Sequence, residues 1–345
     1  MAIVKANGYG HGVEAVARAL ADCVDGFGVA NVTEAKELAA AIGDVNAGRI
    51  LIFSPLLPEE RIIAIDAGFS VFVSNEDEVT QFALSAKATG KPARLHVMVD
   101  TGMGRVGVRP DHLASLVGFV RETASQPGNP VRFAGIATHF PSADEDGEFT
   151  RQQIARFREL IAPLKLGPEV FVHVANSAGL LEFGREAEFA THARPGLALY
   201  GVSPIPRHQA SLQPAMTWKT RITLVRDIEP GDSVSYGRTF VATGPMRVAT
   251  LAVGYADGYP RSLSGRQVDV LIGGRRCPLL GRVTMDQIVV DTSALAEPPK
   301  AGDEAVLMGR QGDEEIRCAE LAEKAGTIPW EIFTGISGRV ARRYR

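Results

Sequence analysis

Short apolar segments alternate with amphipathic segments through roughly the first 200 residues of the chain. The apolar segments have ordinary strand lengths, and glycines and polar residues bound them. We therefore predict eight strands, at Ala2–Ala6, Gly26–Ala30, Arg49–Ser54, Ser70–Ser74, Leu95–Thr101, Phe133–Phe140, Phe171–Ser177 and Phe189–Gly196.

The amphipathic stretches between these strands predict helices, for example at Val13–Leu20, Thr33–Ile42, Glu59–Ala67 and Glu148–Pro163. We expect Thr33 to cap the second of them, because its hydroxyl can accept a hydrogen bond from the first helical turn. Repeated βα units of this number predict an α/β fold with an N-terminal (β/α)8 TIM-type barrel. A doubly wound open sheet is the alternative.

The pattern changes after the eighth candidate strand. Ser203–Gln213 is rich in Pro, Ser and Gln and is typical of a connection, whereas from Met216 onward the apolar positions alternate with a period of two. This predicts a mainly antiparallel β C-terminal domain with a helix near Cys318–Ala325. We place the domains at residues 1–207 and 208–345.

Composition excludes several classes of protein. The 345 residues carry a formal net charge of -3, so no basic field favours nucleic acid. The three cysteines lack metal-ligand spacing, so we expect neither a metal site nor disulfides, and a reducing, cytoplasmic location. No apolar run is long enough to cross a membrane, and no signal peptide is visible. Met1 directly precedes the first motif, so we expect the sequence to be truncated at its N-terminus. Whether a targeting segment has been lost there stays open.

Lys5 ends the first predicted strand and precedes a glycine-rich loop at residues 8–12. Catalytic groups of barrels lie at the carboxyl ends of strands. A lysine in partly apolar surroundings has a lowered pKa and can form a Schiff base with an aldehyde. Considered alone, Lys5 is better explained as a lysine that only marks a strand end.

Other candidates follow later strands at the same end of the predicted barrel. Asn176-Ser177 and Arg194-Pro195-Gly196 end two predicted strands and open the segments Ser177–Leu181 and Leu197–Tyr200, whose free N–H groups suit a phosphate. Ordinary helix capping by Ser177 and a turn at Pro195-Gly196 would give the same pattern. Arg105, in a small-residue loop, presents a planar fork that suits a carboxylate.

Taken together, these segments closely resemble the alanine racemase family of fold-type III pyridoxal-phosphate enzymes. The resemblance covers nearly the whole chain and rests on VKANGYGHG, DTGMGRVGV, ATHF, VANSAG, RPGLALYG, VSYGRT, GYADGY and GRVTMDQ, in this order. It implies racemisation of alanine, a pyridoxal 5'-phosphate cofactor, a homodimer, and a role in supplying D-alanine for peptidoglycan.

The resemblance also implies roles for individual residues. Lys5 corresponds to the lysine that binds the cofactor aldehyde, and Tyr236 to the opposing catalytic tyrosine from the partner subunit. The cofactor would contact Lys5, Tyr9, His139, Asn176, Ser177, Arg194, Gly196 and Leu197. The substrate side of the site would include Arg105, Tyr255, Met285 and Asp286.

These residue types suit the implied reaction. Racemisation removes a proton from one face of the α-carbon and returns one to the other, so two bases on opposite sides are needed, here Lys5 and Tyr236. Arg194 would face the pyridine nitrogen of the cofactor. Because an arginine does not readily give up its proton, the cofactor would be a weaker electron sink, and side reactions would be suppressed.

Three departures from the family pattern affect these expectations. Met98 stands where many members have a carbamylated lysine, so something else must orient Arg105. Gly338 stands where some members have a phosphate-binding tyrosine, which predicts a roomier site. Relatives usually have an additional N-terminal helix ahead of the position of Met1. The alternatives are a broad-specificity racemase, an amino-acid decarboxylase of the same plan, and a non-catalytic pyridoxal-phosphate-binding protein.

Overall fold

The computed structural model describes residues 1–345, with side chains at all positions except 44 and 45. The chain divides into two compact units. The barrel unit comprises Met1–Leu199 and Ser203–Leu212, and the C-terminal unit comprises Tyr200–Val202 and Gln213–Arg345. No helix in the described part of the chain is both long and apolar enough to cross a membrane.

The barrel unit is built on seven parallel strands that neighbour one another in chain order. They are β1 (Ala2–Ile3), β2 (Phe27–Val29), β3 (Ile50–Ile52), β4 (Ser70–Val73), β5 (Ala93–Met98), β6 (Val131–Ala137) and β7 (Phe171–His173). The strands are short and mostly buried, as expected for a parallel sheet covered by helices. The predicted α/β class is confirmed, and seven of the eight predicted strands are present.

The eighth predicted strand, Phe189–Gly196, does not form a regular strand. Its backbone nevertheless reaches both neighbours: Thr191 N donates to Val172 O (2.8 Å), and Pro195 O accepts from Ile3 N (3.0 Å). Because these bonds join β7 on one side and β1 on the other, the segment closes the ring of strands. A proline has no N–H to donate, so a regular ladder cannot continue through Pro195.

Helices follow most of the strands. The segment labelled α1 (Lys5–Tyr9) is a left-handed turn rather than a regular helix. The others are the helices α2 (Val13–Leu20), α3 (Val32–Ile42), α4 (Pro58–Asp66), α5 (Glu76–Thr89), α6 (Leu113–Ser125), α7 (Gly147–Ile161) and α8 (Ser177–Phe183). The expectation that Thr33 caps α3 was wrong. The cap is Asn31, whose side chain accepts from Glu34 N at 3.0 Å, because Thr33 already lies inside the helix.

The C-terminal unit is mainly antiparallel, as predicted. Its strands are β8 (Trp218–Ile228), β9 (Ser233–Val234), β10 (Phe240–Val241), β11 (Met246–Leu251), β12 (Asp269–Ile272), β13 (Arg275–Leu280), β14 (Ile288–Asp291), β15 (Glu304–Gln311) and β16 (Glu314–Ile316). The sheet order is β12-β13-β14-β11-β8-β15-β16, and β12 also pairs with β15, which closes a ring. The predicted helix is α9 (Cys318–Ala325), and a second one follows, α10 (Pro329–Gly335).

Candidate active site

The chain makes a left-handed turn directly after Lys5. Ala6, Asn7 and Gly8 have φ values of 51°, 55° and 60°, and Tyr9 has a φ of 52°. This backbone region costs an L-residue roughly 1–2 kcal/mol, and of these four residues one is a glycine. Such strain persists where surrounding contacts hold it, and it is concentrated at functional sites.

Side chains from two other segments hold this turn. Glu34 Oε1 accepts from Ala6 N at 2.8 Å, so the carboxylate of α3 fixes the residue that follows Lys5. Asn7 Oδ1 accepts from Val13 N at 2.8 Å, which joins the turn to the start of α2. Two side-chain bonds therefore compensate part of the cost of the left-handed backbone.

Lys5 lies at the open rim of the barrel, where nearby protein atoms still desolvate its amine. This desolvation lowers the pKa of Lys5, and the positive charge of Arg105 lowers it further, whereas the carboxylate of Glu34 opposes both effects. The neutral amine is the nucleophilic and basic form, and a larger fraction of Lys5 than of a free lysine is therefore neutral near pH 7.

Arg194 lies inside the barrel and is only 2% exposed. Its two terminal nitrogens donate to Thr138 O (2.7 Å), Val174 O (3.1 Å), His173 O (2.5 Å), His173 Nδ1 (3.0 Å) and His139 Nδ1 (3.1 Å). Burial lowers the pKa of Arg194 to about 9, so the side chain is still charged at neutral pH. Its Nε–H is buried and has no hydrogen-bond partner within the described structure. The terminal nitrogens of Arg194 are fully hydrogen-bonded and hold the side chain in place, so its Nε–H is the donor left for a ligand.

The two histidines beside Arg194 are neutral. Burial, and then the charge of Arg194, lower the pKa of His139 to about 3 and that of His173 well below its usual value. Because a guanidinium only donates, the Nδ1 atom of each ring must accept, which assigns the ring proton to Nε2. His173 Nε2 then donates to His96 Nδ1 at 3.0 Å. The charge of Arg194 therefore fixes which ring nitrogen donates in His139 and in His173.

A cluster of donors lies where α8 begins. Ser177 Oγ accepts from Gly196 N (2.9 Å) and Ala198 N (3.2 Å). A Cβ at Gly196 would lie 2.3 Å from the hydroxyl of Tyr9, so glycine is needed for the phenol to approach this backbone. A phenol, a hydroxyl and backbone N–H groups converge here, which is a donor set that suits a phosphate.

Two other predicted phosphate residues have different surroundings. Asn176 caps α8 by accepting from Gly179 N at 2.9 Å, and its amide donates to Phe140 O at 3.2 Å. Its side chain therefore shapes the helix start that carries Ser177. Leu197 is fully buried, whereas the N–H of Ala198, which the sequence did not indicate, reaches Ser177.

Arg105 lies in a loop after β5 that Asp100 shapes by accepting from Gly102 N (2.9 Å) and Gly104 N (3.1 Å). The Arg105 side chain is exposed and has no hydrogen bond or ion pair to any described residue. Met98, where the resemblance implied a modified lysine, is buried in an apolar cluster with Leu51, Phe72 and Ala137. Met98 therefore offers Arg105 no polar partner.

Tyr236, in the C-terminal unit, projects from a strained turn. Ser235 has a φ of 66° and Arg238 a φ of 47°, and Ser235 Oγ donates to Arg282 O at 2.6 Å. The Tyr236 side chain is a large aromatic group, yet the residue is 73% exposed. The turn thus presents the phenol outward from its own unit.

The remaining predicted residues of the C-terminal unit lie on two loops that hydrogen bond to each other. Tyr255 N donates to Thr284 O, and Ala256 N donates to Met285 O, both at 3.0 Å. A Cβ at Gly254 would lie 2.2 Å from Met285 O, so glycine permits this close approach. Tyr255 and Met285 are therefore held side by side.

Asp286, on the same loop as Met285, forms an ion pair with Arg339 at 2.9 Å, and Arg339 also contacts Asp257 at 3.4 Å. Arg339 thereby joins the chain end to both loops. A Cβ at the adjacent Gly338 would meet no atom within 4 Å, so this position has room for a larger side chain.

Models of known families match both units. The model of the alanine racemase N-terminal domain matches residues 1–204, and that of the C-terminal domain matches residues 215–344. The chain belongs to the alanine racemase family. The family uses pyridoxal 5'-phosphate, and membership confirms the resemblance inferred from the ordered sequence motifs.

Individual relatives agree over the full chain. It is 42% identical to the alanine racemase of Symbiobacterium thermophilum, with 100% of this chain and 90% of that protein covered. It is 39% identical to that of Methylacidiphilum infernorum, covering 100% and 86%. The solved alanine racemase of Streptomyces coelicolor A3(2) has a TM-score of 0.89 at 36% identity, covering 99% of this chain and 90% of that one. These matches support an alanine racemase enzyme.

Two histidines of the site were not identified from the sequence. His96 and His173 stand in β5 and β7, which are otherwise apolar strands, and both side chains are buried. A histidine in such a strand is more often structural than functional. The available signal was that both precede loops with candidate residues, Arg105 and Ser177.

Proposed function

We propose that this chain interconverts L-alanine and D-alanine with pyridoxal 5'-phosphate as cofactor, and so supplies D-alanine for peptidoglycan in the cytoplasm. The observation that carries the proposal is the unpaired, buried Nε–H of Arg194 in the barrel unit that also holds Lys5 and the donors around Ser177. A charged, water-excluded donor without a partner is costly unless a ligand accepts from it.

The barrel side chains fit this cofactor. Arg194 Nε–H would donate to the pyridine nitrogen, which is an acceptor when unprotonated. Ser177, Tyr9 and the N–H groups near Gly196 would bind the phosphate, and Lys5 would bind the aldehyde. When bound, the cofactor supplies a conjugated ring that withdraws electrons from the α-carbon of the amino acid and acidifies its proton.

Lys5 and Tyr236 would move the proton. The lowered pKa of Lys5 makes its neutral amine available to accept a proton on one face of the α-carbon. Tyr236 would act on the other face as a residue of the partner subunit in a homodimer, which its outward position supports. Arg105 and the N–H of Met285 would receive the substrate carboxylate, with Tyr255 and Asp286 at the entrance.

Replacement of Lys5 tests the assignment most directly. Lys5→Ala should lose the visible absorbance of the cofactor adduct, and exchange between L- and D-alanine should fall by several orders of magnitude, because both the attachment point and one base are removed. In the unmodified enzyme, borohydride reduction followed by peptide mass spectrometry should locate the cofactor on Lys5. Lys36→Ala, an exposed lysine of α3, is the control and should change neither property. Full exchange by Lys5→Ala would disprove the proposal.

Broader substrate specificity is a second candidate, favoured by the room at Gly338 and by the apolar cluster around Met98. A panel of Ser, Lys and Arg against Ala decides this, since a strong preference for Ala rejects breadth. Release of carbon dioxide in the same panel would instead indicate a decarboxylase. Cofactor binding without any turnover would indicate a binding protein.

A further inference from the structure

Two helices of the barrel unit, α3 and α5, begin with the same arrangement of an asparagine and a glutamate three residues later. At α3, the Asn31 side chain accepts from Glu34 N at 3.0 Å, and Glu34 Oε2 accepts from Ala30 N at 2.7 Å. The asparagine caps the helix, while the glutamate reaches back to the N–H that precedes the cap. Each start thus satisfies backbone donors at the carboxyl end of a strand.

At α5, Asn75 accepts from Glu78 N at 2.8 Å, and Glu78 Oε2 accepts from Ser74 N at 2.6 Å. The two starts therefore share sequence spacing and geometry. They differ at the second carboxylate oxygen, because Glu78 Oε1 has no hydrogen-bond partner in the described structure. Glu34 Oε1, in contrast, accepts from Ala6 N at 2.8 Å.

That additional bond connects Glu34 to the turn that carries Lys5. One carboxylate binds the N–H groups that follow both β1 and β2, and a hydrogen bond to a charged acceptor is roughly twice as strong as a neutral one. Ala6 has a left-handed backbone without being a glycine, so its conformation depends on such support.

Glu34 also differs in charge from the other groups around Lys5. Arg105 is positive, and His139 is neutral and buried, whereas Glu34 is an anion whose field favours the protonated form of the amine. Removing this anion leaves Arg105 unopposed, so the amine of Lys5 would lose its proton at lower pH.

We propose that Glu34 is a positioning residue for Lys5: its carboxylate fixes the left-handed turn that presents the amine and offsets the charge of Arg105. This rests on the proposed role of Lys5 and deepens it. Glu34 does not itself touch the reacting atoms, so its effect must be read through Lys5.

Glu34→Gln in the full-length protein tests the proposal, with Glu78→Gln as the matched control. The reactivity of Lys5 toward trace acetic anhydride is followed against pH in cofactor-free protein by peptide mass spectrometry. We expect the titration midpoint of Lys5 to fall by about one pH unit in Glu34→Gln and to stay unchanged in Glu78→Gln. In the holoenzyme, kcat should fall about tenfold in Glu34→Gln and less than about twofold in Glu78→Gln.

An unmoved midpoint in Glu34→Gln, or an equal shift in Glu78→Gln, would overturn the proposal. The labelling needs no turnover, so a wild-type protein without racemase activity would refute the proposed function while the labelling still decides the role of Glu34. If Glu34→Gln does not fold, Glu34→Asp serves, with Glu78→Asp as its control. The aspartate keeps the negative charge, so the titration midpoint of Lys5 should not move, but its shorter side chain loses the hydrogen bond from Ala6 N. We therefore expect kcat to fall several-fold, and an unchanged kcat would overturn the proposal.

Discussion

The barrel unit and the C-terminal unit present their candidate chemistry in opposite ways. Arg194 is buried, and its terminal nitrogens are fully engaged by carbonyls and neutral histidines of the barrel itself. Tyr236 projects from a strained turn and is exposed. The barrel unit therefore fixes the position of Arg194 by folding, at the cost of buried polar groups, whereas the C-terminal unit keeps the phenol of Tyr236 exposed at little cost to its own stability.

Acid should separate the two units most strongly. All seven histidines of the chain lie in the barrel unit, and burial holds the pKa of His96 and His139 at about 3 and that of His173 lower than usual. These residues are protonated below about pH 6.5 in the unfolded chain but stay neutral in the folded barrel. Stability is therefore lost as pH falls below about 6.5, by at most about 4 kcal/mol per pH unit where all three histidines bind a proton in the unfolded chain and none does in the folded one.

The positions of the tryptophans allow the units to be followed separately. Both Trp218 and Trp330 belong to the C-terminal unit, whereas α2 to α8 belong to the barrel unit. Between pH 6 and pH 4, helical circular dichroism should decrease before tryptophan emission shifts. Coincident transitions, or an earlier fluorescence change, would contradict the predicted difference.

Two arginines give the next comparison. Arg194→Lys leaves at least two of the five acceptors of Arg194 without a donor, because a lysine has only three N–H groups, so we expect the free energy of unfolding to fall by about 2–4 kcal/mol. Arg276 in the C-terminal unit also has several acceptors, including Glu320 at 2.7 Å and Glu314 at 3.0 Å, but its side chain is 34% exposed. Arg276→Lys should therefore cost about 1 kcal/mol or less. Urea unfolding measures the free energy of unfolding of both variants. Equal losses in the two variants would contradict the predicted difference between the buried and the partly exposed arginine.

The sequence located residues better than it located their contacts. Lys5 follows β1 and Ser177 follows β7, as predicted, because buried parallel strands have a clear apolar pattern and barrels carry their chemistry where strands end. Arg194 lies in the segment that was predicted as the eighth strand. The eighth strand was predicted as regular, whereas the segment makes only isolated backbone bonds to its neighbours, and Pro195 has no N–H to continue a ladder. Periodicity reports burial, and it does not report whether each backbone bond is made.

The sequence indicated only part of the left-handed turn. Asn7 and Gly8 are residue types that favour positive φ, whereas Ala6 and Tyr9 are not, so nothing in the sequence predicted that the left-handed backbone extends over all four residues. Glu34 and Glu78 share the same spacing from an asparagine, and which of them reaches a neighbouring strand depends on tertiary geometry alone. The exposure of Tyr236 was likewise not readable, because an aromatic residue in a β domain is usually packed.

Tyr236→Phe should have the smallest effect on stability and still abolish most activity. The phenol has no hydrogen bond in the described structure of its own unit, so the free energy of unfolding should change by less than about 0.5 kcal/mol. Racemisation should fall by about a thousandfold, which corresponds to about 4 kcal/mol in the barrier, because one of two bases is lost. Loss of stability comparable to that of Arg194→Lys would show that the phenol is a structural residue.

Mixing two inactive variants then tests whether Tyr236 acts across subunits. If Lys5 of one chain works with Tyr236 of the other, a dimer of Lys5→Ala with Tyr236→Phe contains one intact site and one doubly altered site. Unfolding and refolding an equimolar mixture should recover about one quarter of the wild-type activity, because half of the dimers are mixed and each has one intact site. If both residues act within one chain, every site lacks one base, and no activity returns. The barrel would then form a complete site with the C-terminal unit of its own chain, and the outward position of Tyr236 would need another explanation.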